Sequence, residues 1–326
     1  MPLSPDSLAL VLLCSRLGIL PETELTPLTL REWNPLARKL QSISLRPGDL
    51  LGASSVYLED KLELPEVDCI RLDRLLERAG ALAIILERLE SIGIRILTRA
   101  DSDYPARYRQ RLKESAPAVL FYAGEKALLG QPGIAVVGSR HLDEIGEDCA
   151  VYVGNACGLS GMVLYSGGAK GVDTLSMNAA LEARGTVVGI LADSLERAIR
   201  APEARAAIHR GDLCLASPYS PDAGFSVGAA MGRNRLIYTL ADYAIVVASE
   251  AGKGGTWGGA TEALRAGWLP VFVLEHADMP DGNRLLLQKG GLAFPHPFPI
   301  QNSKLVDWLS ANTWQVNTPS TQLDLF

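Results

Sequence analysis

From residue 134 onward, short apolar runs alternate with helical patterns, and the first runs break into glycine. Residues 134 to 137 read Ile-Ala-Val-Val and stop at Gly138-Ser139-Arg140; Leu164-Tyr165 runs into Ser166-Gly167-Gly168-Ala169-Lys170-Gly171-Val172-Asp173. An apolar run of this length bounded by glycine suits a strand buried on both faces. Expected strands at 134–138, 162–165, 186–191, 214–216, 243–248 and 270–274 alternate with expected helices at 145–158, 172–184, near 194–208, 228–241 and 257–267. Strands separated by helices of ten or more residues predict an α/β fold, a parallel sheet with helices on both faces. Ligands of such sheets sit beyond the carboxyl ends of the strands, where the glycine-rich turns fall.

The chemistry of those turns is anion chemistry. A glycine-rich turn ahead of a helix can offer backbone N–H groups and a helix N-terminus to phosphate oxygens. Arg140 and Lys170 lie in the two turns, so Gly138, Ser139, Arg140, Ser166, Gly167, Gly168, Lys170 and Gly171 form the expected phosphate crest. Asp173 either caps the helix that follows or meets a ligand. The spacing is neither GxxxxGK[ST] nor GxGxxG, which argues against a P-loop or a dinucleotide site.

Two later segments extend the crest. Arg233, Asn234 and Arg235 open or continue the helix expected over 228–241, and two arginines there can pair with phosphates or with carboxylates of the same helix layer. Lys253-Gly254-Gly255-Thr256 reads as a second backbone cradle. Phe225, ahead of a glycine- and alanine-rich spacer, is either a platform for a stacked base or a core residue. No His/Cys set has metal-ligand spacing and no nucleophile elbow is present, so neither metal nor cofactor is expected.

Composition bounds the partners. The formal net charge of −6 gives no global basic field, although a local basic groove suffices for a nucleic acid. Cysteines 14, 69, 149, 157 and 214 are scattered without a CxxC, as expected for free thiols in a reducing cytoplasm. The apolar stretch Leu8–Cys14 is too short for a span and follows no basic residue, so a cytoplasmic protein without membrane contact is expected. Residues 1–92 carry helical stripes, among them the Thr29–Glu32 capping spacing, and read as a small helical module. The expected division is therefore 1–92, a sheet domain over 93–300, and a polar tail over 301–326.

Taken in order, Gly138–Arg140, Ser166–Asp173, Arg233–Ile237 and Gly254–Thr256 resemble the signatures of the DprA/Smf family of DNA-processing proteins. The lead-in from Gly93 through Asp103-Tyr104-Pro105 to Phe121 is similar as well. The resemblance covers roughly 90 to 295; a longer spacer after Phe225 and a Gly-Gly-Thr-Trp loop mark a divergent subgroup. It implies an extended Rossmann-like domain that binds single-stranded DNA during DNA uptake, recombination or defence without catalysing a reaction. The implied DNA ligands are Arg140, Lys170, Arg233 and Arg235, and the implied partners are the RecA recombinase and a second copy of the chain. Glu262 beyond the Gly-Gly-Thr segment also resembles the acidic residue of phosphoribohydrolases, whose activity, cleavage of a nucleotide N-glycosidic bond, is the alternative. Finally, Gln322, Leu323, Asp324, Leu325 and Phe326 resemble the pentapeptide by which bacterial proteins bind the DNA polymerase sliding clamp.

Overall fold

The computed structural model describes residues 3–20, 22–298 and 304–313. Its contacts divide into two compact units. One comprises Met1–Gly124 with Asp193–Ala201 and Ala216–Gly224; the other comprises Glu125–Ala192, Pro202–Leu215 and Phe225–Phe326.

The first unit is mainly helical, with helices Pro5–Cys14, Leu30–Ser42, Ser55–Leu62, Glu66–Leu76 and Ala79–Ser91. Ser4 starts the first helix by accepting the Ser7 N–H at 3.1 Å, and Pro5 occupies the first turn, where its missing N–H leaves no bond unmade. The second begins as its capping spacing predicts: the Glu32 carboxylate accepts the Thr29 N–H at 2.7 Å. Leu10, Leu12, Leu13, Leu40, Leu50 and Leu58 fill the core between the helices. Helix Ser55–Leu62 has little apolar stripe to announce it, burying only Leu58 and Leu62. Strands β1 (Arg95–Thr98) and β2 (Val119–Gly124) pair antiparallel, with helix Ala106–Leu112 in the connection between them.

The second unit carries the parallel sheet. Its strands are β3 (Gly133–Val137), β4 (Val163–Ser166), β5 (Val187–Ile190), the start of β6 (Leu213–Ser217), β7 (Tyr243–Val246), β8 (Val271–Glu275) and β9 (Leu292–Pro295). They lie in the order β6-β5-β4-β3-β7-β8-β9. β3 pairs in parallel with β4 on one side (Ile134 opposite Leu164) and with β7 on the other (Ile134 opposite Tyr243). The chain thus leaves β3 in one direction and returns on its other side, which makes the carboxyl ends of β3 and β7 the switch point of the sheet. Every residue of β3, β4 and β5 is buried, so both faces of the sheet are covered. Helix Glu144–Ser160 packs on helix Val172–Glu182, and helix Val227–Leu240 on helix Gly254–Ala266.

Three sequence expectations change. The single helix expected near 194–208 is two, Leu195–Ala198 and Pro202–Arg210, because Pro202 disfavours helical backbone at Ala201 and starts a new helix instead. The helix expected over 228–241 shifts by one residue to Val227–Leu240, since Ser226 caps it by accepting the Ala229 N–H at 3.1 Å. Gly254, Gly255 and Thr256 are likewise the first turn of a helix, with Lys253 as its cap residue. Beyond the alternation read from sequence, helix Asp281–Gln288 and β9 add one more unit to the sheet. Helix Leu305–Ala311 then sets Trp308 against Phe272 and Phe294, at 5.7 and 5.6 Å between ring centroids.

Among the described residues no helix is long and apolar enough to cross a membrane. The five cysteines are free; burial pushes the Cys14 and Cys157 thiols up to about 12, which keeps them unreactive at neutral pH. Glu32 shifts the other way, down to about 2, chiefly through its hydrogen bond from Arg71 at 2.6 Å. A depressed carboxylate contributes stability above its unfolded value, near 4.5, and loses it as the pH falls through about 2. The stability advantage of the native chain over Glu32→Gln, read in denaturant melts, is therefore expected above pH 5 and should fade as the pH approaches 2.

Candidate functional site

The turns after β3 and β4 are pressed against each other. A Cβ on Gly138 would collide with the side chain of Val172, and one on Gly171 would meet Ser139 O at 2.5 Å and Arg140 Cα at 2.8 Å. Gly171 also has φ +84, a backbone region that side-chain-bearing residues rarely adopt. The Ser139 N–H donates to Ala248 O at 2.9 Å, tying the β3 turn to the end of β7 at the switch point. The Ser166 hydroxyl donates to Val136 O at 2.7 Å, so this serine is a buried clasp between β4 and β3.

On this base the cations separate into two groups. Arg140 and Lys170 are exposed at the tips of the two turns, and Lys253 is exposed at the start of its helix, 3.5 Å from Glu250. Arg140 lies over the ring of Phe225, with 5.4 Å from guanidinium carbon to centroid, a cation–π contact on a ring that is 54% exposed. Val227 and Met231, on the first turns of the following helix, are exposed beside it in sequence. An exposed aromatic with an exposed cation above it suits a planar, anionic ligand.

Arg233 is placed differently. It stands in the second turn of helix Val227–Leu240, not at its opening, and its side chain is only 5% exposed. Its guanidinium lies directly beneath Gly167, where an added Cβ would fall on it, and 4.0 Å from the Asp173 carboxylate. Asp173 is the second residue of helix Val172–Glu182, and its carboxylate accepts the Ala169 N–H of the loop at 3.3 Å. Burial pushes its carboxyl above the usual range, with Arg233 and that amide acting against the shift. Asn234 is buried against the neighbouring helix, where Gly255 and Gly259 make room for it; Arg235 is half-buried. Gly254 is exposed, and Gly255 and Thr256 are half-buried in the first turn of their helix.

Sequence reasoning passed over Asn283. Its amide oxygen accepts the Ser249 N–H at 2.8 Å, and its amide nitrogen donates to Val247 O and Leu274 O at 3.0 and 2.9 Å. It thereby holds the diverging ends of β7 and β8; a buried Asn one turn into a helix after Met279-Pro280 is the only signal it leaves. Glu262 lines a separate cleft of about 550 Å³ with Thr261, Arg265 and Lys289. The peptide Gln322–Phe326 lies outside the described residues.

Fold and site together define a Rossmann-like α/β protein with exposed cations at the carboxyl ends of its central strands. The family model for DNA recombination-mediator protein A matches residues 95–297, more than half of the chain, and the chain belongs to that family. Among curated relatives, DNA processing protein DprA of Streptococcus pneumoniae is 30% identical over 181 residues, which cover 54% of this chain and 62% of the relative. DprA of Bacillus subtilis is 27% identical over 185 residues, covering 56% and 61%. The match thus spans about three fifths of the length of these relatives. The crystal structure of the Streptococcus pneumoniae protein superposes with a TM-score of 0.58 at 24% identity, over 82% of this chain and 95% of that one. DNA processing protein A of Helicobacter pylori, whose structure concerns its single-stranded DNA binding mode, gives 0.55 at 22% identity, over 67% and 96%. Both likenesses establish the shared fold.

The interlock of the two turns has a direct test. Gly171→Ala combines a forbidden backbone region with a backbone clash, and is expected to cost at least about 2 kcal/mol in denaturant or thermal melts. Gly161→Ala, also at positive φ (+69) but with open space around it, should cost less.

Proposed function

We propose that this chain binds single-stranded DNA along the crest formed by the turns after β3 and β4, and that it does so without catalysing a reaction. The observation that carries the reading is the exposure of Arg140 and Lys170 on adjacent turns at the sheet's switch point, in a chain of this family. Two cations on a rigid backbone platform can track successive phosphates. Phe225 beside them supplies a face on which a base can stack once Arg140 turns to a phosphate, worth about 1–3 kcal/mol. Single-stranded nucleic acid offers both groups at once, whereas a duplex hides its base faces. The Helicobacter pylori relative, described for its binding of single-stranded DNA, supports the same assignment.

Gel shifts with a single-stranded oligonucleotide test this. Arg140→Ala and Lys170→Ala should each weaken binding about tenfold and lower the slope of log K against log salt by roughly 0.7, the share of one phosphate contact. Binding as tight as the native chain's in both variants would remove the crest from consideration.

The hydrolytic alternative requires Glu262 to act at the crest. The carboxylate stands eight residues after Gly254 in its helix, about 12 Å along the axis from the helix start. That distance favours the non-catalytic reading. Release of free base from nucleoside monophosphates, abolished in Glu262→Gln, would reverse it.

The tail peptide Gln322–Phe326 is proposed to dock in an apolar pocket of the sliding clamp through Leu323, Leu325 and Phe326. Deleting 322–326 should abolish retention on immobilised clamp while leaving oligonucleotide affinity intact. The RecA recombinase and a second copy of the chain belong to the same proposal and rest on the family resemblance alone.

A further inference from the structure

We infer that Asp173 and Arg233 act as a buried positioning pair that sets the shape of the 166–171 loop for polyanion binding, and that Arg233 itself contacts no phosphate. The inference rests on the single-stranded DNA reading for its ligand, but on geometry for its mechanism.

Arg233 reaches the loop from below. Its side chain is 5% exposed, and its guanidinium occupies the space that a Gly167 side chain would need. A ligand in solvent meets the other side of the loop, where Gly168 and Lys170 are exposed. For Arg233 to bind a phosphate it would have to leave Asp173 and displace the backbone of Gly167. Asp173 grips the same loop from the adjoining helix, through the Ala169 N–H. That amide points inward, so it is unavailable to a ligand, and the cradle expected from the glycine spacing is partly occupied by the protein's own carboxylate.

Each partner keeps the other in place. The carboxylate and the guanidinium are each less than a tenth exposed and lie 4.0 Å apart; burial pushes the Asp173 carboxyl up and Arg233 opposes that shift, so replacing either removes an interaction from a buried group. Tyr238, on the same helix as Arg233, is the third ionisable group facing Asp173. Burial, and then the Asp173 charge, push its hydroxyl up, so it stays neutral and adds no charge to the pair. The loop, and with it Lys170, is therefore held from beneath by two side chains that are hardly exposed to solvent. The cations that add charge at the surface are Arg140, Lys170 and Lys253.

This division of labour separates in a salt titration, because only a residue that neutralises a phosphate releases a counterion. Affinity for a single-stranded oligonucleotide is measured at several salt concentrations for the full chain, Arg233→Gln, Asp173→Asn and Arg140→Ala. Amide hydrogen exchange of the 166–171 loop is measured in the free proteins. Arg233→Gln and Asp173→Asn should weaken binding about tenfold, the scale of outer-shell effects at other binding sites, with the native salt slope retained. Arg140→Ala should instead lower the slope by roughly 0.7. Exchange at Ala169 should quicken in both variants of the pair and stay native in Arg140→Ala. A slope in Arg233→Gln reduced as in Arg140→Ala would make Arg233 a phosphate ligand and overturn the inference. Native exchange at Ala169 in Asp173→Asn would overturn it as well. Asp173→Asn is nearly isosteric and carries the test should Arg233→Gln fail to fold. If the native chain binds no oligonucleotide, the functional reading falls, and the exchange measurement alone decides whether the pair sets the loop.

Discussion

Backbone pressed on backbone at the ends of β3 and β4 is the constraint on which the site depends. Gly171 lies against Ser139 and Arg140, and Gly138 lies against Val172, with no room for a Cβ at either contact. Neither turn can move without the other. Because the Ser139 amide is also bonded to Ala248 at the end of β7, the three central strands present their carboxyl ends as one rigid rim. The exposed parts of the site are side chains: Arg140 over Phe225, Lys170, and Lys253 beside Glu250. A rigid rim carrying exposed cations suits a repeating, sequence-independent ligand such as a phosphodiester chain.

Beneath the rim, polar groups are spent on the protein itself. Ser166 closes onto β3, Asp173 takes an amide of the glycine loop, Arg233 supports Gly167, and Asn283 joins the ends of β7 and β8. Buried polar groups are tolerated only when they are satisfied, and here they satisfy the diverging backbone of the strand ends. Asp173 and Arg233 are buried beneath the rim, while Arg140, Lys170 and Lys253 stand outside it, the last beside the exposed Glu250.

Much of the second unit was legible because its strands are buried on both faces and its helices are punctuated by glycine. The glycines at 138 and 171 fall where the sequence places them, just past the end of β3 and just before helix Val172–Glu182. Helix starts were harder to read. The helix capped by Lys253 begins at Gly254, three residues before its expected start at 257, because small residues let it pack closely and leave little stripe to detect. What the pattern could not show is that Arg233, in the second turn of helix Val227–Leu240, faces the interior.

The α/β class, and the glycines of the candidate site at the strand ends, can be read from the chain, since they follow from short-range periodicity and from conformations that glycine accepts most readily. Tertiary structure alone decided which way each charged group faces. Arg140 and Arg233 are equivalent as residue types, and both belong to motifs that suggest phosphate. One stands outside the rim and the other lies beneath it, because the packing of helix Val227–Leu240 brings Arg233 onto Asp173 and Gly167, residues far away in the chain. No local spacing encodes that encounter, and the burial it produces separates an exposed cation from one enclosed by the fold.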